Sequence, residues 1–362
     1  MTPAAILRLR LENQGLARAS FQKPEDVVAW FGAVQAQDFL GSLWALGLRM
    51  RSATESLVES AESRRAIIRT WPMRGTLHFV AAADVRWMIK LLAPRVIARN
   101  AARLKKEVNV DASVVGRARD VVARALEGGK RLERGALYEV LEARRIRTGN
   151  SRGLHILLRL ALDGTICLAG RIGKQHTFAM LEEWIPQSRH LAREEALVEL
   201  ARRYFASHGP ATTRDFAWWA GITAKHAQEA VDGAQPSLRH DVVDGTRYWW
   251  NEPPRSLRRK IVAAKAEPRV RLLPAFDEYT VAYENRLMLS SDLKQRSKMG
   301  LLNPVVLVDG RVVGSWKRAI VKRSVSIETS LWRPLNRAER AALQEEANRF
   351  AAFLGLGVKL HA

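Results

Sequence analysis

The sequence predicts an α+β fold, mainly helical, in which three tandem winged-helix motifs precede a β-rich C-terminal domain. Three observations favour this class. The order helix, helix, helix, hairpin recurs along the N-terminal part of the chain, Asp-Gly pairs at 244–245 and 309–310 mark hairpin turns, and strand-like alternation follows the second pair. We therefore divide the chain into segments 1–108, 109–190, 191–254 and 255–362.

Segment 191–254 carries the clearest local signals. A helical pattern over 193–207 is followed by Thr212 three residues before Asp215, a capping-box spacing that starts a second helix. Thr223 caps a third helix. Apolar strands on either side of Asp244-Gly245 complete a helix, helix, helix, hairpin order, which predicts a winged helix.

Segments 109–190 and 1–108 repeat this order of elements, although their amino-acid sequences do not repeat residue by residue. In 109–190 we predict helices 113–126, 135–144 and 151–162, then strands 166–169 and 177–180 joined through Arg171, Gly173 and Lys174. In 1–108 we predict helices 4–13, 24–34, 40–48 and 54–64, a hairpin over 71–80 containing Arg74-Gly75, and a long basic helix over 83–107. That helix places Arg95, Arg99, Arg103 and Lys106 on one face, which either is solvated or contacts a polyanion.

The C-terminal segment begins after Glu252-Pro253-Pro254, which we interpret as a linker, and a basic stretch over 255–271. Strands 305–308 and 312–316 flank Asp309-Gly310, and alternation from Val321 to Ile327 predicts a further strand. A closing helix has Asn336 as its cap, Glu339 three residues later and Gly355 as its stop.

The charge balance points to a polyanionic partner. The 362 residues include 59 Lys and Arg against 37 Asp and Glu, which gives a net charge of +22. Nucleic acid is the leading candidate for that partner, and a basic proteome or binding to a membrane surface is the alternative.

The single cysteine and the lack of long apolar runs limit the cellular compartment and the kinds of disulfide or metal site that the chain can hold. Cys167 is the single cysteine, so the chain holds no internal disulfide framework and no cysteine-built metal site. No apolar run approaches the roughly 20 residues of a membrane span, and the N-terminal residues interleave charges. We expect a cytoplasmic protein outside the membrane that needs no metal or nucleotide cofactor, since HExxH, P-loop and dinucleotide signatures are missing from the sequence.

Polar side chains interrupt an apolar stretch at Gln35-Ala36-Gln37-Asp38. In a straight helix, residues two apart face nearly opposite directions, so both amides address one site only if the backbone breaks there. The alternative is a pair of amides at a helix end, bonded to neighbouring backbone. Asp38 either caps the following helix, the favoured interpretation, or supports the chemistry as a nearby acid or base.

The order of several motifs resembles the AlkZ-type DNA glycosylases, the AlkZ-like branch of a winged-helix superfamily that also contains the YcaQ-type enzymes. The matching segments are Gln35-Ala36-Gln37, 71–78 (WPMRGTLH), 209–212 (GPAT) with 215–219 (DFAWW), 272–279 (LLPAFDEY) and 306–314 (VLVDGRVVG). The YcaQ-type branch has an aspartate in place of the second glutamine, so Gln37 favours the AlkZ-like side. The resemblance implies a C-shaped, DNA-sized channel and a glutamine-apolar-glutamine active site.

The resemblance implies excision of cationic N7-alkylpurines, with N3-alkyladenine and interstrand crosslinks as further substrates. The catalytic motif then maps onto Gln35 and Gln37. An N7-alkylated base already carries a positive charge, so it leaves without a general acid, and two neutral amides that position water at C1′ and face the sugar suffice. No lysine accompanies the glutamines, which favours a monofunctional hydrolase over a Schiff-base lyase.

The remaining predicted site residues are candidates for DNA binding. They are Arg74 and His78 on the first hairpin, Arg171 and Lys174 on a wing, and Lys317, Arg318, Lys322 and Arg323 on the C-terminal sheet. For Arg74 and His78, a buried ion pair and a packed histidine are equal alternatives. The acidic pair Asp277 and Glu278 either closes salt bridges, the favoured interpretation, or takes part in catalysis.

Two other functions remain open at this point. A non-enzymatic winged-helix DNA-binding protein or transcriptional regulator explains the charge and the repeated motifs equally well, but it leaves Gln35 and Gln37 unexplained. A hydrolase built on Asp277 and Glu278 would depend on metal or acid-base chemistry. We expect a monomer whose partner is double-stranded DNA with alkylated purines, associated with the nucleoid when bound.

Overall fold

The computed structural model describes residues 1–251, 268–290 and 303–361. The chain divides into two compact units: unit 1 contains Met1–Val58, Val198–Trp219 and Thr223–Ala362, and unit 2 contains Glu59–Leu197 and Ala220–Ile222. The predicted linker Glu252-Pro253-Pro254, the boundary at 254/255 and most of the basic stretch over 255–271 lie outside the described residues.

The N-terminal helices begin within one residue of their predicted starts. They are α1 (Pro3–Asn13), α2 (Pro24–Phe31), β1 (Ala33–Gln35), α3 (Phe39–Gly47) and α4 (Glu55–Ser63). The predicted helix 24–34 is wrong at its end, because Gly32 adopts a φ of +80° and the chain continues as extended backbone. This early stop separates Gln35 from the helix that precedes it.

The next elements form the strands and helices of unit 2. They are β2 (Ile67–Met73), β3 (Thr76–Ala81), α5 (Val85–Val108), α6 (Ala112–Leu126), β4 (Leu132–Glu133), α7 (Arg134–Ala143), α8 (Arg152–Leu162), β5 (Ile166–Ile172), β6 (Gln175–Met180) and α9 (Leu181–Trp184). The strands are hydrogen-bonded in the order β3-β2-β5-β6-β4. Strands β5 and β6 are longer than predicted, so Arg171 lies within β5 and only Gly173 and Lys174 form the turn.

The third predicted motif is present as an element order: α10 (Arg193–Ser207), α11 (Thr213–Ala220), α12 (Ala224–Ala234), β7 (Leu238–Val243) and β8 (Thr246–Asn251). The capping box is confirmed, because the Asp215 amide donates to Thr212 Oγ1 over 3.0 Å and the Thr212 amide donates to Asp215 Oδ2 over 2.9 Å. Element order alone does not define how helices cross. The three winged-helix motifs, their four segments and the C-shaped channel therefore stay predictions.

The C-terminal elements build a mixed sheet under one helix. They are β9 (Val270–Leu273), α13 (Glu278–Val281), β10 (Val305–Val308), β11 (Arg311–Val321), β12 (Ser324–Leu331), α14 (Arg337–Leu354) and β13 (Gly357–His361). The five strands lie in the order β13-β12-β11-β10-β9, antiparallel except for β12 beside β13. Short 3₁₀ turns occupy Ala82–Asp84, Gln235–Ser237 and Leu287–Leu289.

Two expectations for this sheet have different outcomes. The closing helix is confirmed in detail: Asn336 and Glu339 form a complete capping box, and Gly355 ends the helix with a φ of +67°. The continuous strand expected from Val321 to Ile327 is wrong, because Lys322 adopts a φ of +54° and turns the chain between β11 and β12. A single alternating pattern therefore spans two antiparallel strands.

Aromatic packing fixes α3, the helix after the glutamine motif, against the C-terminal elements of unit 1. The ring centroids of Trp44 lie 5.0 Å from Phe350 and 5.1 Å from Phe353, both on α14. The indole of Trp44 donates to the Leu272 carbonyl over 2.8 Å, and Trp316 donates to Leu273 over 2.7 Å. These buried aromatic contacts pack the middle of α3 firmly against β9 and α14.

Candidate active site

The glutamine motif lies at a break between two helices, as its spacing predicts. Helix α2 ends at Phe31, Gln35 closes strand β1, and α3 begins at Phe39. Only Gln35 lies in the strand, and Gln37 lies in a bend two residues later. The break removes the helical geometry that would turn the two side chains onto nearly opposite faces, and their action at one site stays a prediction.

The two amides have different surroundings. Gln35 is 7% exposed, and its side-chain Oε1 accepts a hydrogen bond of 2.7 Å from the main-chain amide of Gln37. This is the bond to neighbouring backbone that the structural alternative predicts, and it uses one of the two lone pairs of Oε1. The side chain of Gln37 is exposed. The loop thus holds one amide firmly and presents the other.

A buried carboxylate lies directly behind this loop. Glu278 Oε1 accepts the main-chain amide of Gln35 over 2.8 Å. Its Oε2 accepts the indole N–H of Trp219 over 2.9 Å and lies 3.2 Å from His208 Nε2. Glu278 is 1% exposed, so these donors replace the water that its charge has lost.

The imidazole of His208 is placed to donate a hydrogen bond to Glu278. Complete burial lowers the pKa of His208 below its usual value, so the ring is neutral at pH 7. With its proton on Nε2 it donates to Glu278, and Nδ1 lies 2.8 Å from the hydroxyl of Ser207. The ring also stacks on Tyr204 with a centroid distance of 4.7 Å.

Sequence reasoning did not single out His208 or Trp219 for the site. Both come from segments that the motif comparison covers, next to 209–212 and within 215–219, but their side-chain partner is distant in sequence. A histidine directly before Gly209-Pro210 and a tryptophan in an apolar helix carry no local sign that they meet a carboxylate. Only the packing of unit 1 brings them to Glu278.

Asp277, the neighbour of Glu278, is a structural residue. Its two carboxylate oxygens accept from Arg49 Nη1 and Nη2 over 2.8 and 2.9 Å, and both side chains are at most 2% exposed. Asp277 also caps α13 by accepting the Tyr279 amide over 2.9 Å. The salt-bridge interpretation of this acidic residue is confirmed, and it leaves Glu278 as the member of the pair that faces the glutamine loop.

Asp38 is the N-cap of α3, as the favoured interpretation predicts. Its Oδ1 accepts the main-chain amide of Gly41 over 3.2 Å, and its backbone is extended while α3 begins at the next residue. The cap fixes the C-terminal end of the glutamine loop to α3.

We expect Asp38→Ala to lower the free energy of unfolding by about 1 kcal/mol, because it removes this cap. Asp38→Asn keeps an oxygen acceptor, so it should retain both the stability and the activity of the wild type. Thermal unfolding of the three proteins measures the first effect. An Asp38→Asn protein that keeps its melting temperature but loses catalysis would instead identify Asp38 as an acid or base.

Comparison with known proteins now adds to this geometry. A family model described as DNA glycosylase AlkZ-like matches residues 28–353. The chain belongs to the AlkZ-like DNA glycosylase family. The matched range includes the glutamine loop, Glu278 and nearly all of both units.

Two relatives come from Streptomyces sahachiroi. A curated interstrand DNA cross-link repair glycosylase is 24% identical, and the match covers 86% of each chain. The solved structure of the DNA glycosylase AlkZ aligns with a TM-score of 0.77 and 22% identity over 99% of each chain. The structural likeness shows that this AlkZ-like chain has the AlkZ fold, with mixed helices and sheets.

The hairpin residues predicted to contact DNA differ in exposure in this AlkZ-like chain. Arg74 and Gly75 both have positive φ, 57° and 78°, and form the tight turn between β2 and β3. His78 is fully buried, with Nδ1 2.9 Å from the Thr76 carbonyl and Nε2 3.4 Å from Arg74 Nη2. The burial of His78 favours the packed-histidine alternative, and a DNA contact by Arg74 stays a prediction.

The two cations of the predicted basic wing also differ in their surroundings. Arg171 Nε and Nη2 donate to Glu59 over 2.6 and 2.7 Å, which commits its guanidinium to a bidentate ion pair within unit 2. Lys174 is exposed at the turn. Lys174 is therefore the better placed of the two for a phosphate contact, which stays a prediction.

The C-terminal cations are mostly at the surface. Lys317 is exposed 3.8 Å from Glu328, and Lys322 and Arg323 form the exposed turn between β11 and β12 rather than part of a strand. The guanidinium carbon of Arg318 lies 5.4 Å from the centroid of the Phe350 ring, so Arg318 packs on α14 as well. These four residues remain predicted phosphate contacts.

The long helix of unit 2 adds four exposed cations. Arg95, Arg99, Arg103 and Lys106 are all exposed on α5, as their spacing predicts. Arg103 also pairs with Glu107 over 3.1 Å, which fits the solvated-face alternative.

No assembled metal site or membrane span is present in the parts of the chain that the structure covers. Within residues 1–251, 268–290 and 303–361, three or more His, Cys, Asp or Glu side chains do not gather as they would around a metal ion. The helices in the same ranges are too short or too polar to cross a membrane.

A second buried carboxyl, in unit 2, makes stability depend on pH. Burial raises the pKa of Glu62 from 4.5 to about 7, although Arg69 opposes the shift. The pKa of Glu62 is therefore higher in the folded than in the unfolded chain. Its contribution to the free energy of unfolding is fully present below about pH 4.5 and is lost as the pH rises through about 7.

We expect Glu62→Gln to be more stable than the wild type at pH 8, by up to about 3 kcal/mol, and to differ little from it at pH 4.5. Denaturant unfolding of both proteins across this range measures the difference. Both proteins contain His176, so the difference between them reports Glu62 alone. Burial lowers the pKa of His176 to about 4, so its contribution to stability changes with pH in the opposite direction. A difference that stays constant with pH would contradict the assignment.

Proposed function

We propose that this chain is a monofunctional DNA glycosylase that hydrolyses the N-glycosidic bond of cationic N7-alkylpurines, and of N3-alkyladenine by the same chemistry. Gln35 and Gln37 are the proposed catalytic residues. The observation that supports the proposal is the break between α2 and α3 at 32–38, which separates both glutamines from a continuous helix and leaves one amide buried and the other exposed. Membership of the AlkZ-like family supports it.

The proposed reaction needs positioning more than acid-base chemistry. The leaving base carries its positive charge before the bond breaks, so the enzyme has to place a water at C1′ and favour the cationic sugar. Amide carbonyl oxygens do both, because they accept hydrogen bonds from water and present negative dipole ends. The loop 33–39 contains no lysine, so it offers no amine for a Schiff base.

We extend the proposal to interstrand crosslinks joined through purine N7 atoms. The curated relative from Streptomyces sahachiroi is named as an interstrand DNA cross-link repair glycosylase. Each purine of such a crosslink is itself an N7-alkylated cation, so the same bond and the same two amides apply. Unhooking then requires no chemistry beyond that proposed for a single lesion.

The proposed partner is double-stranded DNA, bound by a monomer through its phosphates in the cytoplasm at the nucleoid. The net charge of +22 and the exposed cations Lys174, Lys322 and Arg323 support this partner. Such contacts place the enzyme on DNA without reading sequence. A repair enzyme needs this property, because lesions occur at random positions.

The test uses purified full-length protein and a duplex with one N7-methylguanine. After incubation, heating in alkali cleaves the strand at abasic sites, so a product band reports base excision. We expect excision that withstands a chelator, and unhooking of a duplex crosslinked through guanine N7. Binding of both duplexes with excision from neither would overturn the proposal and favour a non-enzymatic DNA-binding protein or regulator.

A further inference from the structure

We infer that Glu278 is a positioning residue for the glutamine loop and acts through the main-chain amide of Gln35. The inference rests on the proposed function, since it assigns a role in that reaction to a residue behind the catalytic amides. It concerns the placement of Gln35 and Gln37, and it gives Glu278 no contact with the substrate.

Burial of the Glu278 carboxylate carries a desolvation cost. A charge that is 1% exposed persists only where donors replace its water. Glu278 has such donors on three separate elements: the Gln35 amide at the end of β1, the Trp219 indole on α11 and His208 after α10. The carboxylate therefore joins the glutamine loop to α11 and to the residue that follows α10.

One hydrogen bond within the loop couples the two glutamines to each other. Strand β1 has only 3 residues, and Gln35 Oε1 is bonded to the Gln37 amide over 2.7 Å. A shift of the Gln35 main chain would consequently move both glutamines together. A displacement of about 1 Å at a reacting group costs on the order of 10²-fold in rate, so this anchor matters for catalysis.

An amide cannot replace the carboxylate at position 278. With the His208 proton on Nε2, all three partners donate: Gln35 N–H to one oxygen, and Trp219 and His208 N–H to the other. A glutamine has one oxygen and one NH₂ group, so its NH₂ would face a donor in either orientation. Glu278→Gln therefore displaces the loop or an aromatic side chain without a change in size.

The experiment measures single-turnover excision of N7-methylguanine and DNA affinity for the wild type, Glu278→Gln and the control Glu346→Gln. Glu346 is a matched control because it is likewise buried, at 3% exposed. It accepts hydrogen bonds from Arg271 and from the Leu272 amide, and these donors lie outside the glutamine loop. We expect Glu278→Gln to lower the rate constant by about 10- to 100-fold with DNA affinity within about 2-fold. Glu346→Gln should lower the melting temperature and keep the wild-type rate constant below that temperature.

A rescue variant separates positioning from general stability. In Glu278→Gln/Trp219→Phe, the indole donor is gone, so the amide oxygen can face Gln35 N–H while its NH₂ faces His208 in the other tautomer. We expect this variant to recover most of the rate lost in Glu278→Gln. If Glu278→Gln does not fold, Glu278→Asp, which keeps the charge but is one methylene shorter, should show the same loss of rate at unchanged affinity.

The outcomes are distinct. Excision by the wild type together with a wild-type rate in the folded Glu278 variant overturns this inference alone. Equal losses in Glu278→Gln and Glu346→Gln, or no recovery in the double variant, also overturn it, because the effect would then follow stability. Absence of excision by the wild type itself overturns the proposed function, and this role with it.

Discussion

Replacing Gln37 with alanine is expected to lower the single-turnover rate of N7-methylguanine excision by about 10²- to 10³-fold, with DNA affinity nearly unchanged. Loss of one preorganised polar group at a reaction centre has this magnitude in other enzymes. The Gln37 side chain is exposed, so its removal should leave the melting temperature within about 1 °C of the wild type, as for surface substitutions in general.

Gln35→Ala is expected to lower the rate by a similar factor but also to lower stability. The side-chain oxygen of Gln35 holds the Gln37 amide over 2.7 Å, and alanine leaves that donor without this partner. Comparison of the two variants thus separates chemistry from support of the loop. The pair also tests the structural alternative for Gln35, which predicts a loss of stability with unchanged rate.

Gln228→Ala is a suitable control for both variants. Gln228 is an exposed glutamine on α12 that donates to Asp232 over 2.8 Å, so its truncation changes the same chemical group outside the loop. Wild-type rates in Gln228→Ala and reduced rates in the two loop variants would support the assignment. Full activity in both Gln35→Ala and Gln37→Ala would refute the proposed active site.

Asp277→Ala is expected to lower the free energy of unfolding by about 3–5 kcal/mol. Its removal leaves the guanidinium of Arg49 buried with Gln14 Oε1 and the Ala45 carbonyl as its remaining partners. A buried cation that loses its counter-charge keeps the desolvation cost without the compensating attraction. Thermal or denaturant unfolding of the full-length protein measures the effect.

Two comparisons make this test specific. Glu107→Ala removes the exposed ion pair with Arg103, in which the side chains are 47% and 55% exposed, and it should cost well under 1 kcal/mol. The double variant Asp277→Leu/Arg49→Met removes both charges and should recover much of the loss, since apolar replacement of a buried pair is often tolerated. A cost of Asp277→Ala no larger than that of Glu107→Ala would contradict the role assigned to the pair.

These buried contacts also define the relation between stability and the proposed chemistry. Asp277 and Glu278 are adjacent, yet one closes an ion pair with Arg49 and the other accepts the amide of Gln35. Substitution of Asp277 should therefore act on folding, and substitution of Glu278 on the rate constant at a temperature where the protein is folded. The two effects differ although the residues share one short motif.

Local signals in the sequence predicted the ends of several elements correctly. The cap at Asp38, the capping box of Thr212 and Asp215, and the box of Asn336 and Glu339 are all present in the structure. Each depends on side-chain and main-chain groups within three residues of one another. The break at the glutamine motif was expected only as a condition for both amides to address one site, and α2 ends at Phe31, three residues before the predicted end.

Other predictions needed information that the sequence pattern lacks. The alternation from Val321 to Ile327 spans a turn because Lys322 adopts a positive φ, which a non-glycine residue rarely does. The burial of His78 was one of two equal alternatives, and Arg171 pairs with Glu59 although its wing was expected to contact phosphate. Exposure depends on which face of an element is covered, and the covering residues are remote in sequence.

The sequence by itself determined the capped helices, the hairpin turns, the net charge of +22 and the polar interruption of an apolar stretch at Gln35 and Gln37. Tertiary structure alone decided that Glu278, 243 positions from Gln35, accepts its amide, and that Arg49 meets Asp277 across 228 positions. Capping and turn formation use groups a few residues apart, so a short stretch of sequence is enough to predict them. A buried carboxylate takes whichever donors packing brings to it, and that choice exists only in the folded chain.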